Sequence, residues 1–403
     1  KEPGFIDDVS RRYLGYAEQS REEKLLKAYL KIIPEHERSV SLAYLLSQIG
    51  EDKSSVKNLF QVFQTVGVKF GQLSSIWKIF GEAISRETAS LKDRAEPMTK
   101  AEVLEELHRS LSPEEFSKVK KLKRVIGSAS LKTVVLAELE GNKEAVIMVQ
   151  RRFAQPQIDS NLRLAQDFIN EIKRENLLPE GAGLFNSLLE TVRSQLAAET
   201  KMSLEARRLR EAKSLYAPLG QDGWTFKVPG LIAGFQERDN VLVLEKADGV
   251  RFDQLPPNQK ASAGEAILRS SLRLLFQDGW FDADRHVGNQ LIDSHKKIIS
   301  PIDFGQAMSF SKKPFWRTDD RLELARFLRA LAASDPNGLA RAGLAMGHGG
   351  RAPKSLAPLL AKALSEKDLA ARVIAVVNAF AEAGTPIDGR FSFGALKGLM
   401  TLY

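Results

Sequence analysis

The chain has 403 residues, 43% of them hydrophobic, which is enough for one large bilobal unit or two domains. Lys and Arg number 59 and Asp and Glu 51, a net charge of +8 that is compatible with an anionic ligand, a membrane surface or nucleic acid and selects none of them; the absence of an aromatic-interleaved basic run argues against nucleic acid. Cysteine is absent, which excludes disulfides and thiolate metal sites.

Residues 1–115 are predicted to form an N-terminal helical extension. A helical apolar stripe runs through Leu25, Leu26, Tyr29, Leu30 and Ile33, and Pro34 should end that helix. A second helix is predicted around residues 54–70. A third is predicted near residues 99–111, where Thr99 and Glu102 have the spacing of a capping box.

Residues 116–250 are predicted to form a small sheet with inserted helices. Three β-branched runs at 122–126, 133–139 and 144–149 predict strands, with a turn at 140–143, and a fourth strand is predicted at 240–244. Helical periodicity predicts helices at 159–176 and at 184–216.

Residues 251–403 are predicted to form a helical lobe, interrupted by two short strands at 290–292 and 297–299. Amphipathic helices predicted at 317–333, 355–364 and 368–380 favour ordinary packing over docking to a membrane or partner. The expected fold is therefore α+β and predominantly helical, a two-lobed protein-kinase-like fold behind an N-terminal helical extension.

No uncharged apolar stretch approaches the roughly 18 residues that a membrane-spanning helix needs. We therefore expect a cytoplasmic protein, and any contact with a membrane should be peripheral.

An acidic loop carries the clearest chemistry. Residues 281–290 read FDADRHVGNQ and residues 301–306 read PIDFGQ. Asp284, Asn289 and Asp303 have the order and spacing of kinase-like phosphoryl transfer, in which the first Asp orients the nucleophile and the other two residues bind Mg²⁺. The simpler alternative is that the polar residues merely cap and turn a surface loop. His286 is better read as structural than as a metal ligand, because no second His or Cys stands at ligand spacing.

Further motifs show that the chain resembles the AarF/UbiB family of atypical protein-kinase-like proteins, over roughly residues 60–330. The most specific motif is VGVKFGQLSS at 66–75, which contains the K-x-G-Q residues Lys69, Gly71 and Gln72. GSASLKTV at 127–134 is similar to the alanine-rich nucleotide loop, and AETKMSLEA at 198–206 to the E-x-D and E-A elements. DADRHVGN at 282–289 is similar to the catalytic loop of the family.

The resemblance implies ATP and Mg²⁺ as cofactors and a role in isoprenoid-lipid pathways. It implies that Lys69 pairs with Glu199, which agrees with the cost of burying a lysine among apolar neighbours; a snorkelling surface lysine is the alternative. It also implies a set of nucleotide-binding positions: Gly127, Ser128, Ala129, Ser130, Lys132, Met148 and Glu205.

The chain departs from the family at the phosphate-binding lysine. The strand AVIMVQ at 145–150 places Met148 where the family has the lysine that binds the α- and β-phosphates, so Glu205 needs another cation. Lys132 stands where the family has glycine and either reaches the same phosphates or is solvated. Lys201 replaces the E-x-D aspartate, and Asp282 replaces a histidine.

Three functions fit this pattern. The leading one is a divergent UbiB-like kinase or ATPase that binds Mg²⁺–ATP, turns it over weakly and supports ubiquinone-type lipid metabolism, with an isoprenoid lipid or a lipid-biosynthetic enzyme as partner. The second is a pseudokinase that acts as a scaffold. The third, a small-molecule phosphotransferase, leaves the KFGQ motif unexplained.

Overall fold

The computed structural model describes residues 21–34, 66–67, 69, 96–129, 131–177, 182–221, 223–282, 287–309, 320–347, 351–385, 387 and 396. The chain divides into two compact units that alternate along the sequence. The first comprises Lys1–Asp93, Gln155–Leu196 and Glu366–Pro386, and the second comprises Arg94–Ala154, Ala197–Ser365 and Ile387–Tyr403. The three segments predicted from the sequence stay a prediction.

The α-helices of the described residues are α1 (Arg21–Ile32), α2 (Lys100–Ser110), α3 (Pro113–Lys118), α4 (Ala154–Arg174), α5 (Ala182–Glu199), α6 (Met202–Tyr216), α7 (Pro257–Arg273), α8 (Asp320–Ala332), α9 (Pro336–Ala345), α10 (Leu356–Leu364) and α11 (Leu369–Glu382). The strands are β1 (Val119–Ser128), β2 (Lys132–Leu139), β3 (Lys143–Gln150), β4 (Gly220–Gln221), β5 (Trp224–Phe226), β6 (Val241–Glu245), β7 (Val250–Arg251), β8 (Trp280–Asp282), β9 (Gln290–Asp293), β10 (Ile298–Pro301) and β11 (Ala307–Ser309).

In the first unit, helix α1 buries the apolar stripe predicted from its sequence. Every residue of that stripe is at most 3% exposed, and Tyr29 meets Phe168 of α4 edge to face, with ring centroids 6.2 Å apart. Lys31 Nζ lies 3.0 Å from carboxylate oxygens of both Glu171 and Glu175. The helix ends at Ile32, just before Pro34, as predicted.

The second unit contains a four-stranded antiparallel sheet in the order β1-β2-β3-β6. Its two faces follow the alternation of the strands. One face packs on α2 through side chains such as Val135 and Ile147, and the other packs on α6 through Met148 and Leu242. Both clusters are buried, so the sheet holds α2 and α6 on opposite sides.

A second, five-stranded sheet of the order β4-β5-β10-β9-β7 positions the acidic segments. Strands β9 and β10 form an antiparallel hairpin, and the Asp-Phe-Gly sequence follows β10 directly. A separate pair joins β8 to β11, with Asp282 opposite Ala307. This pairing brings the start of the acidic loop beside the residues that follow Asp303.

The single helical segment predicted at 184–216 is instead two helices, α5 and α6, separated by Thr200 and Lys201. Lys201 leaves the helical region at φ −115° and ψ 88°. Asp239 caps the new helix, because its carbonyl accepts from Met202 N at 3.3 Å and its carboxylate accepts from Ser203 N at 3.3 Å. The break arises from this distant segment, which a helical period cannot reveal.

The other predicted elements agree with the structure within a few residues where it describes them. The capping box of Thr99 and Glu102 is present, as are the four predicted strands of the first sheet. Residues 66, 67 and 69 are helical, and the rest of the helix predicted around 54–70 lies outside the described residues. Short strands such as β4, β7 and β8 were missed, since two or three residues carry no readable alternation.

Candidate functional site

An ion pair between the first sheet and helix α6 is the centre of the candidate site. Lys132 Nζ lies 3.0 and 3.2 Å from the two carboxylate oxygens of Glu205. The two side chains are only 20% and 8% exposed. The cation that Glu205 was predicted to need is therefore Lys132, and the alternative of a solvated Lys132 is wrong.

The sheet register explains how a lysine on β2 reaches Glu205. Lys132 lies opposite Gln150 and Val134 lies opposite Met148. Directly opposed residues, and residues two apart on one strand, point to the same face of a sheet. Lys132 is thus a diagonal neighbour of Met148 on the face that packs on α6, and a positive charge is placed one strand away from its position in the family.

Carboxylates outnumber the lysine at this point. Burial alone would lower the pKa of Lys132, but the charges of Glu205, Asp303 and Glu199 raise it above its ordinary value, so this lysine stays protonated. Burial raises the pKa of Glu205, and the negative charges of Asp303 and Glu199 raise it further against the opposing effect of Lys132. The negative charges of Asp303 and Glu199 therefore act on both members of the ion pair.

The Asp-Phe-Gly turn is held by its own backbone and by an aromatic cluster. Asp303 Oδ1 accepts a hydrogen bond from Gly305 N at 2.9 Å. Phe304 is 1% exposed and packs against Trp280 and against Tyr216 of α6, with ring centroids 5.9 and 6.2 Å away. The turn thus fixes where the Asp303 carboxylate stands.

The stretch 127–134, predicted as a nucleotide loop, includes the end of β1 and the start of β2. Gly127 and Ser128 are the last residues of β1, and Ala129 N donates to the carbonyl of Lys132 at 2.9 Å. Arg151 braces the loop, because its guanidinium donates to Ser128 Oγ and to the carbonyl of Ala129, both at 3.3 Å. Ser130 lies outside the described residues.

Of the remaining predicted site residues, some lie within the described part of the chain and some do not. Asn289 ends a short 3₁₀ turn, and its carbonyl accepts from Ile302 N at 3.1 Å, which joins the loop to the Asp303 segment. Asp284 and His286 lie outside the described residues. Lys69 is helical and half-buried, and its pairing with Glu199 stays a prediction.

Two contacts of the site were not predicted. Arg208 Nη1 donates to the carbonyl of Gly305, and Gln306 Nε2 donates to Glu199 Oε1 at 3.4 Å. The position of Arg208 three residues after Glu205 was a readable signal, since residues three apart share a helix face. The contact of Gln306 had no signal in the sequence.

Two features are absent from the described part of the chain. No cluster of three or more His, Cys, Asp or Glu side chains there is arranged to hold a metal ion. No helix within the same residues is long and apolar enough to cross a membrane.

Comparison with known proteins identifies a family over more than half of the chain. The ABC1 atypical kinase-like domain matches residues 90–342, which is more than half of the chain. The matched range includes Lys132, Met148, Glu205 and Asp303 and begins after Lys69. The match confirms the predicted protein-kinase-like α+β fold.

Individual relatives are more distant. The uncharacterized protein Rv0647c of Mycobacterium tuberculosis is 29% identical over 263 residues, covering 62% of this chain and 52% of the relative. The probable protein kinase UbiB of Photorhabdus laumondii is 26% identical over 305 residues, covering 70% and 52%. The chain therefore spans about half the length of the curated relatives it matches.

A solved structure of the Mycobacterium tuberculosis protein Rv3197 with erythromycin is 17% identical, with a TM-score of 0.49, and covers 91% of this chain and 95% of that one.

The family match over residues 90–342 and the UbiB relatives confirm the resemblance seen in the sequence motifs: the chain belongs to the ABC1 atypical kinase-like family, which includes the UbiB proteins.

Proposed function

We propose that this chain binds Mg²⁺–ATP on the Lys132 face of the first sheet and turns it over slowly, as an atypical kinase or ATPase. The observation that carries the proposal is the ion pair of Lys132 with Glu205, one strand away from Met148. An ammonium held there by a carboxylate supplies the positive charge that Met148 does not, and phosphate oxygens accept hydrogen bonds from it.

Each residue has a role in this proposal. Lys132 binds the phosphates, and Glu205 orients it. Asp303 and Asn289 offer carboxylate and amide oxygens, the hard ligands that Mg²⁺ prefers, and Asp284 orients the nucleophile. The negative charge of Asp303, Glu199 and Glu205 fits a divalent cation, which when bound neutralises phosphate charge.

Slow turnover follows from the displaced lysine. A lysine that enters from β2 approaches the phosphates from a different strand, and its ammonium is already paired with Glu205. Misplacing one transition-state contact by an ångström can cost about a hundredfold in rate. We therefore expect binding to survive better than catalysis.

The cellular role is proposed from the family. Relatives named as probable UbiB kinases support a role in ubiquinone-type isoprenoid-lipid metabolism, with an isoprenoid lipid or a lipid-biosynthetic enzyme as the partner. Contact with a membrane would then be peripheral.

Thermal unfolding with ATP tests the binding proposal, since a ligand that binds only the folded state raises the melting temperature. With Mg²⁺ and ATP present, the wild-type chain and the matched variant Lys121→Ala, which removes an exposed lysine of β1, should show the same shift. Lys132→Ala and Asp303→Asn should show little or none. A wild-type chain that ATP and Mg²⁺ do not stabilise at millimolar concentrations would contradict the proposal.

The second candidate function is a pseudokinase that serves as a scaffold, and it is favoured by Met148. This side chain is 6% exposed and belongs to the core that joins the sheet to α6, so the family lysine is replaced by a packing residue. A scaffold predicts that purified protein releases no phosphate from ATP above the rate of Asp303→Asn. Turnover that Asp303→Asn abolishes would favour the enzyme.

A further inference from the structure

Helix α6 contacts both the first sheet and the Asp-Phe-Gly turn, through different side chains. Glu205 lies in its first turn and pairs with Lys132 of the sheet. Arg208, one turn later, donates from Nη1 to the carbonyl of Gly305. One helix therefore connects the cation of the sheet to the backbone that carries Asp303.

Arg208 is placed for this contact by charge as well as by geometry. Its guanidinium is half-buried, and burial lowers its pKa, while the carboxylates of Glu205 and Asp282 act in the opposite direction. Asp282 ends β8, which pairs with β11 on the far side of the Asp-Phe-Gly turn. A charged guanidinium forms stronger hydrogen bonds than a neutral donor, so the hydrogen bond of Arg208 to the Gly305 carbonyl is a strong one.

Two further contacts hold the same turn against the α5–α6 segment. Gln306 Nε2 donates to Glu199 at the end of α5 at 3.4 Å, and Phe304 packs on Tyr216 near the end of α6. Three consecutive residues after Asp303 are thus each attached to residues 199–216. The arrangement constrains the turn from its backbone and from both neighbouring side chains.

We infer that Arg208 is a positioning residue that fixes the Asp-Phe-Gly turn, and through it the Asp303 carboxylate, in the orientation that binds the metal ion. The inference rests on the proposed function for its consequence in Mg²⁺ binding. The contact with Gly305 itself is independent of any ligand, so the two claims can be tested separately.

The first test is hydrogen exchange of the nucleotide-free chain. The amides of Gly305 and Ala307 are hydrogen-bonded within the turn, so their exchange reports local opening. Arg208→Met should speed exchange of residues 303–307 by roughly tenfold or more, the loss expected for one hydrogen bond to a charged group. The matched control is Arg207→Met, which removes an exposed arginine of the same helix and should leave this segment unchanged.

The second test measures the Mg²⁺ concentration that gives half of the melting-temperature shift caused by ATP. Arg208→Met should raise this Mg²⁺ concentration by about tenfold or more, and Arg207→Met should not change it. Arg208→Lys should raise it by less than Arg208→Met does, because lysine keeps the charge but loses the planar fork of the guanidinium. If Arg208→Met does not fold, the comparison of Arg208→Lys with wild type replaces it in both tests.

Unchanged exchange at residues 303–307 in the Arg208 variants, or an equal increase in Arg207→Met, would overturn the inference. Increased exchange with an unaltered Mg²⁺ requirement would also overturn it, because the turn would then be held without consequence for the metal ion. A wild-type chain that shows no ATP-induced shift contradicts the proposed function alone, and the exchange result still decides whether Arg208 fixes the turn.

Discussion

Removing the ammonium of Lys132 should destabilise the fold in a way that depends on pH. Lys132→Ala leaves the Glu205 carboxylate, 8% exposed, without its cation and beside Asp303 and Glu199. Breaking a buried pair from one side costs about 3–5 kcal/mol. Lys132 keeps a fifth of its exposure, so we expect the lower end, about 3 kcal/mol of unfolding free energy at pH 8.

The sign of the pH dependence follows from Glu205. The pKa of this carboxyl is already raised, and it rises further without Lys132, so the folded variant binds a proton more tightly than the unfolded chain. The stability of the variant then increases as the pH falls. Its loss of unfolding free energy relative to wild type, the deficit, should be about 1–2 kcal/mol smaller at pH 5.5 than at pH 8. Lys132 itself contributes no change in this window, because its raised pKa lies far above it.

Urea unfolding at pH 5.5 and pH 8 measures both quantities. The control compares Glu205→Gln with the double variant Lys132→Ala/Glu205→Gln, in which no carboxyl remains at position 205 to take up the proton. The pH dependence of the deficit should disappear in that comparison. A loss of unfolding free energy below about 0.5 kcal/mol would contradict a buried ion pair, since surface substitutions already reach that size. A loss that is equal at the two pH values would contradict the raised pKa of Glu205.

Two further predictions concern the scaffold around the site. Burial alone would raise the pKa of Glu115, but hydrogen bonds from Arg238 and from backbone amides lower it to about 2; Glu115→Gln should cost about 2–3 kcal/mol at pH 7. This loss should shrink as the pH falls from about 4.5 toward 2, because a carboxyl with a lowered pKa contributes its full stability only above its pKa in the unfolded chain. The control is Glu114→Gln, at a side chain 82% exposed, which should have little effect on urea unfolding at either pH. At Gly249, φ is +117° and an added Cβ would stand 2.5–2.9 Å from the backbone of β9, so Gly249→Ala should cost about 2 kcal/mol or more. Gly141→Ala, at φ +75° with no atom within 4 Å, should cost about 1 kcal/mol, and equal losses for the two glycines would contradict the close approach to β9.

The fold was predictable where local pattern and packing agree. The stripe from Leu25 to Ile33 and the β-branched runs at 133–139 and 144–149 are largely buried, as their periodicity indicates. The run at 122–126 forms a strand, but its Val125 and Ile126 are 39% and 46% exposed. The break at Thr200 and Lys201 was not predictable, because Asp239, from elsewhere in the chain, accepts hydrogen bonds from the backbone amides of Met202 and Ser203. Local sequence carries no information about such distant caps.

The candidate site was predictable to the level of motifs and less so to the level of contacts. The sequence leaves open whether Lys132 is solvated or reaches the site. The pairing register of β2 with β3 decides between the two, because it places Lys132 and Met148 on the same face of the sheet. The contact of Arg208 with Gly305 joins residues 97 positions apart. The spacing of Arg208 from Glu205 indicates that the two residues share a helix face, but the partner of Arg208 follows only from the tertiary structure.

If Lys132 provides the positive charge that Met148 lacks, a lysine placed back at position 148 should take over its role. Titration calorimetry with ATP and Mg²⁺ would compare wild type, Lys132→Ala and the double variant Lys132→Ala/Met148→Lys. We expect Lys132→Ala to weaken binding by about tenfold or more, the effect of losing a charged hydrogen bond. The double variant should regain most of the affinity, because Met148 shares the sheet face of Lys132. Equal affinity in wild type and Lys132→Ala would contradict the claim.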